Sequence, residues 1–193
     1  MMPSWVVFCL CLLTSPALDG PTPLPDAFLG HWQGTLRITP VQDKTGNTPQ
    51  PKGGEVPMEI HIEKLAEGKG YTWRLIYNTG PRREVREYVL LPDAKQPNSF
   101  VMDERNGIMM DARLVGQGLF TQFKVQDAHK TQDTLILARY ERRGDVLDVE
   151  ILAFDGKAPR TTKDSQGNFE VTSYVLRSVQ RAELKLATPE KKG

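Results

Sequence analysis

Apolar and polar residues alternate along most of the chain with a period of two. In the segment 31–38, for example, Trp32, Leu36 and Ile38 alternate with polar neighbours. This period is typical of a β-strand with one buried face. Segments of the same kind recur at short intervals, and about ten strands are predicted in all. The predicted strands after the first are Val56–Lys64, Tyr71–Asn78, Glu84–Leu91, Ser99–Asp103, Ile108–Val115, Leu119–Gln126, Thr134–Arg142, Val146–Phe154 and Phe169–Ala182.

Short turns join these predicted strands. Asn106-Gly107 and Gly144-Asp145 supply residues that two-residue hairpins favour, so consecutive strands are predicted to pair antiparallel. Only one short helical turn is predicted, at 26–30, because no segment carries a sustained apolar stripe at helical spacing. The pattern therefore predicts an all-β, antiparallel up-and-down meander, and closure into a barrel would remove its exposed edges. The polar segment 155–168 is predicted as a rim loop, either a lid or a flexible hairpin loop.

The N-terminus carries a short apolar run with no charged side chain from Met1 to Leu18, and small residues follow the run at Ser15 and Ala17. These features are typical of a secretory signal peptide, with cleavage expected after Ala17. The predicted organisation is a signal peptide at 1–17, a Pro-rich extended lead at 18–27, one β-barrel domain at 28–186 and a flexible tail at 187–193. We expect export to the periplasm or the extracellular space, with no integral membrane segment after cleavage.

Cysteine usage and charge exclude several classes of function. Both cysteines, Cys9 and Cys11, lie in the segment expected to be removed, so disulfides and thiolate chemistry are not predicted. Lys and Arg total 25 against 24 for Asp and Glu, and this balance gives no field that favours nucleic acid. Arginines cluster at 82–86 and 139–143, but glutamates interleave with them, which predicts surface ion pairs.

Motifs for catalysis were not found. The chain has no Gly-x-Ser-x-Gly elbow, no His-Glu-x-x-His and no Gly-rich phosphate loop. The three histidines are far apart in sequence, and His31 and His61 are predicted to face solvent side by side if their strands pair. No catalytic residue, metal ligand or cofactor is predicted. An enzyme on this scaffold stays open as the alternative with the least support.

The tripeptide Gly30-His31-Trp32 stands at the entry to the first strand and follows the predicted helical turn. This arrangement resembles the calycin superfamily, to which lipocalins belong, over roughly 28–186. The resemblance implies a barrel in which Trp32 closes one end and an Arg of the last strand stacks across it. Arg177 is the matching position, and Arg181 is the alternative. It also implies a cup that could hold a small apolar molecule.

The third predicted strand has the most distinctive face for such a cup, since its aromatic residues have polar tips and point the same way. The predicted ligand-binding residues are Tyr71, Trp73, Tyr77, Phe100, Met110 and Phe123. A packed interior is the other interpretation. The first functional hypothesis is an exported module that binds a small hydrophobic or amphipathic ligand. The second is a filled structural barrel that contacts an unidentified protein partner in the cell envelope or extracellular space.

Overall fold

The computed structural model describes residues 22–41, 53–78, 80–129 and 133–188. It is a closed antiparallel barrel in which each strand pairs with the next along the chain and the last strand pairs with the first. The strands are β1 (Gly30–Pro40), β2 (Gly54–Lys64), β3 (Tyr71–Tyr77), β4 (Glu84–Pro92), β5 (Ser99–Asp103), β6 (Met109–Val115), β7 (Gly118–Gln126), β8 (Asp133–Arg143), β9 (Val146–Lys163) and β10 (Glu170–Leu186). Short 3-10 turns lie at Asp26–Phe28 and Gly80–Arg82.

The predicted fold class is confirmed, and so are the ten strands, most of which begin and end within a few residues of their predicted limits. The 3-10 turn at Asp26–Phe28 also falls where a helical turn was predicted. The predicted signal peptide at 1–17 lies outside the described residues, as does most of the predicted tail.

One predicted loop is instead a strand. The segment 155–168 was predicted as a rim loop, but β9 continues through it to Lys163 and pairs with the start of β10. Thr161 and Thr172 face each other across this pair, with their hydroxyl oxygens 3.0 Å apart. The prediction failed because this segment carries no apolar alternation and contains Gly156 and Pro159, which are typical of loops. The two strands form a ribbon that extends beyond the barrel wall.

The N-terminal lead plugs one end of the barrel. Leu24, Phe28 and Trp32 are almost fully buried there. The Tyr71 hydroxyl accepts a hydrogen bond from the Leu24 N–H at 3.0 Å and lies 3.3 Å from the Leu24 carbonyl oxygen. The lead at 18–27, predicted as extended, therefore packs against the barrel at Leu24. The connections from β1 to β2, β3 to β4, β5 to β6, β7 to β8 and β9 to β10 all lie at the opposite, open end.

Closure depends on a close approach between β1 and β10. Trp32 lies opposite Leu186, and Ile38 lies opposite Gln180. A Cβ atom on Gly34 would lie only 2.7 Å from the Glu183 carbonyl oxygen, so this position needs a glycine for space rather than for its backbone angles. The missing side chain lets the first and last strands meet.

Candidate functional site

Arg142 covers Trp32 at the plugged end. The Arg142 guanidinium carbon lies 4.5 Å from the centre of the indole ring. The same guanidinium donates to the carbonyl oxygens of Val146 and Gly144, each at 2.6 Å, and the Trp32 Nε1 donates to the Phe28 carbonyl at 2.8 Å. A cation over an indole face is a favourable arrangement.

This cation comes from β8 and not from the last strand. Arg181 lies opposite Arg37 on the outer face, and the Arg177 carbonyl accepts from the Val41 N–H at the far end of β1 from Trp32. The residue over Trp32 is therefore Arg142, and not Arg177 or Arg181 as the resemblance implied. Alternation along β8 places Arg142 on the same face as the buried Tyr140, which was the available sequence signal.

The plugged half of the barrel interior is packed. Trp73 is 0% exposed and meets the Tyr140 ring edge-on, with the ring centres 5.0 Å apart and the planes at 75°. Three other predicted ligand-binding residues, Tyr71, Phe100 and Met110, are also buried in the core. The Trp73 Nε1 has no hydrogen-bond partner among the described residues.

The open half is lined by apolar side chains that are only partly buried. They come from five strands, they pack on the buried core, and strand register places them on the inner face. These residues, called the cup below, are Ile38, Val56, Tyr77, Phe123 and Ile151. Of the six predicted ligand-binding residues, Tyr77 and Phe123 belong to the cup, and Trp73 lies deeper in the barrel.

A polar cluster borders this apolar interior, with Tyr88 and Tyr140 buried and the Arg86–Glu84 ion pair about half exposed. It consists of the hydroxyls of Tyr77, Tyr88 and Tyr140 together with Arg86 and its neighbouring carboxylates, and it is called the tyrosine–arginine cluster below. Arg86 faces inward opposite Leu75 and binds the Glu84 carboxylate at 2.9 Å. The Tyr88 hydroxyl is hydrogen-bonded to Arg86 and to Glu104. The surface ion pair predicted for the arginine cluster at 82–86 is thus present between Arg86 and Glu84, whose side chains are each 55% exposed.

Burial extends the pH range over which these tyrosines stay protonated. Burial raises the pKa of Tyr77 to about 12, although the charge of Arg86 opposes the shift. Burial also raises the pKa of Tyr140 well above its usual value and raises the pKa of Tyr88. The hydroxyls are therefore neutral at physiological pH and can donate hydrogen bonds.

The outer face carries the histidines and most of the ion pairs. His31 and His61 lie side by side on β1 and β2, as predicted, and their rings stack with centres 4.1 Å apart. His31 Nε2 lies 2.8 Å from a Glu63 oxygen, and this hydrogen bond lowers the pKa of the Glu63 carboxyl. His61 pairs with Glu59 at 3.0 Å. Within the described residues, no group of three or more His, Cys, Asp or Glu side chains could hold a metal ion.

The predicted surface ion pairs are present. Arg139 binds Glu141 at 2.7 Å, and Arg143 binds Glu141 and Asp148, each at 2.9 Å. Arg139, Arg143 and Asp148 border a groove of about 1060 Å³ on the outer face of β8, β9, β10 and β1. Because both signs of charge alternate along the groove, it has no single-sign field for an anion or a cation.

No protein-family model matches the chain, and no curated protein matches it. Among the residues that the structure describes, no helix is long and apolar enough to cross a membrane.

Proposed function

We propose that this barrel binds a small amphipathic ligand in its open half. The observation that carries the proposal is the cup, whose apolar side chains point inward yet stay only partly buried. A ligand that covers apolar surface inside a concave wall gains about 25 cal/mol of binding free energy for each Å² that it removes from water. The packed residues beneath the cup, including Trp73, form its floor.

Two further features support this proposal. The plugged end, with Trp32 under a guanidinium, supports placing the barrel with the calycins, where a cup for an apolar ligand is expected. The apolar N-terminal run supports export, so the ligand would be met outside the cytoplasm.

Saturable binding of the neutral dye Nile red, followed by its fluorescence, tests the proposal. We expect the wild-type chain to bind with a Kd in the micromolar range. Val56→Arg places a charge in the cup and should weaken binding at least tenfold. Val85→Arg is the matched control, because Val85 is 36% exposed and lies on the outer face of β4, and it should bind as the wild type does.

Thermal unfolding of both variants checks that the barrel stays folded. Absence of saturable binding by the folded wild-type chain would overturn the proposal. That result would favour a role in protein interaction instead, which has its own support in the exposed apolar side chains Phe169, Val171 and Val175 on the ribbon.

A further inference from the structure

The pairing of β6 with β7 covers only part of the two strands. It joins residues 112–115 to residues 118–121 and stops there, although β7 continues to Gln126. Beyond Thr121, the described pairing of β7 is with β8 alone. At the open end, residues 122–126 therefore form an edge of the barrel wall with no described strand on the β6 side, called the β7 edge below.

A side-chain hydrogen bond marks the place where the ladder stops. The Thr121 hydroxyl donates to the Asp111 carbonyl at 2.8 Å. In a regular continuation of the pairing, Asp111 would lie opposite Gln122, and its carbonyl would accept from the Gln122 N–H. The Thr121 hydroxyl bonds this carbonyl instead, and the described β6 pairing does not reach Gln122.

Alternation determines which backbone groups of the β7 edge lack a strand partner. In an antiparallel strand, the N–H and C=O of one residue point to one neighbouring strand, and those of the next residue point to the other. Because the Asp111 carbonyl points to β7, the backbone groups of Gln122 and Lys124 point to the β6 side. Those of Phe123 and Val125 point to β8, which pairs with them. The edge thus presents a row of main-chain donors and acceptors.

Two concavities on the outer face lie beside the start of this edge. One has a volume of about 390 Å³ and is bordered by Asp111, Phe120 and Gln122. The other has a volume of about 240 Å³ and is bordered by Gln122 and Leu135. Leu137 borders both. Outward-pointing side chains of a strand added at the edge would therefore have apolar surface beside them.

We propose that the β7 edge binds an extended segment of another polypeptide, which pairs with it as an added β-strand. The edge itself determines this partner, because the backbone of an extended peptide matches a row of N–H and C=O groups. Apolar side chains at alternate positions of the segment occupy the concavities beside Phe120 and Leu137. Lysines often protect free edges, but the Lys124 ammonium binds the Asp133 carboxylate on β8 at 3.0 Å and so lies away from the β6 side.

A fluorescein-labelled heptapeptide, Lys-Val-Thr-Val-Thr-Val-Lys, tests the proposal by fluorescence anisotropy. We expect the full chain to bind it saturably. The same peptide N-methylated at its five central residues keeps the side chains but loses the backbone donors, so it should not bind. Lys124→Pro removes an N–H on the β6 side and leaves the β8 ladder intact, so it should weaken binding roughly fivefold or more. Lys124→Ala is the matched control and should bind as the wild type does.

Amide hydrogen exchange of the ¹⁵N-labelled wild-type chain examines the edge directly. The Gln122 and Lys124 amides should exchange about tenfold faster than those of Phe123 and Val125, which donate to β8. Saturating peptide should slow the exchange of Gln122 and Lys124. This measurement needs no variant, so it stands even where Lys124→Pro does not fold.

Three results would overturn the inference. They are no saturable peptide binding by the folded wild type, equal binding of the N-methylated peptide, and Gln122 and Lys124 amides that are already protected in the free chain. The cup needs no ligand for the edge to bind a peptide, and Nile red binding is measured separately. Failure of the edge to bind therefore leaves the proposed function standing, and the reverse also holds.

Discussion

At the scale of single residues, the Arg142 side chain makes three contacts. It covers the Trp32 ring, and it bonds the carbonyls of Gly144 and Val146 on either side of the turn between β8 and β9. The side chain thereby ties the turn to the N-terminal plug. Neighbouring Arg143 is different, because it is largely exposed and only makes surface ion pairs.

Arg142→Ala should lower the free energy of unfolding by about 2 to 4 kcal/mol, from the lost cation–π contact and two charge-assisted hydrogen bonds. Arg143→Ala should change it by less than about 1 kcal/mol, since exposed ion pairs contribute little. Urea denaturation of the two variants measures both values. Equal effects of the two substitutions would show that Arg142 does not hold the plug.

Residue alternation was enough to predict that Trp32, Trp73, Tyr77 and Phe123 face inward. It could not predict which guanidinium covers Trp32, because that contact joins strands far apart in the chain. The interleaved glutamates did predict the Arg86–Glu84 ion pair, but not the contact of Arg86 with the Tyr88 hydroxyl. Charged residues on an inner face are placed by register, which a single sequence does not determine.

At the scale of elements, β10 shows why register was left open. Its two faces, one with Val175 and Arg177 and the other with Leu176 and Ser178, are both partly apolar. The structure has irregularities in the pairing with β9 between Ser173 and Val175 and between Leu176 and Ser178. In the second irregularity Arg177 is an extra residue on β10, which shifts the alternation, so neither face alone continues along the strand. From Ser178 onward the even-numbered residues point inward.

The ribbon formed by the ends of β9 and β10 should be dispensable for the barrel. Beyond Asp155 on β9 and Arg177 on β10, the described pairing is only between these two strands. Replacing residues 161–172 with an Asn-Gly turn should therefore change the free energy of unfolding by less than about 1 kcal/mol. Urea denaturation checks this, and Nile red binding should be unchanged. A large loss of stability would mean that the ribbon packs on the barrel.

At the scale of the whole molecule, the buried tyrosines link stability to alkaline pH. The pKa of Tyr77 is about 12 in the folded barrel and about 10 in an unfolded chain. Folding raises this pKa, so the neutral Tyr77 contributes to the stability of the folded barrel. This contribution is fully present below pH 10 and is lost as the pH rises through about 12. The shift corresponds to roughly 2 to 3 kcal/mol.

Raising the pH from 9 to 12 should thus destabilise the wild type more than Tyr77→Phe, by up to that amount. Urea midpoints at several pH values in this range measure the difference. The phenylalanine variant is the control for the wild type, because all other groups that titrate in this pH range are the same in both chains. Parallel pH profiles would contradict the raised pKa of Tyr77.

The pairing of β1 with β10 also determines when the barrel can close during folding. Trp32 and Leu186 are about 150 residues apart, and the Ala187 N–H donates to the His31 carbonyl at 2.7 Å. Bringing such distant segments together carries a large loop-closure entropy, and contacts of this kind slow folding. Until the final strand has been synthesised, β1 lacks its β10 partner, so the barrel cannot close.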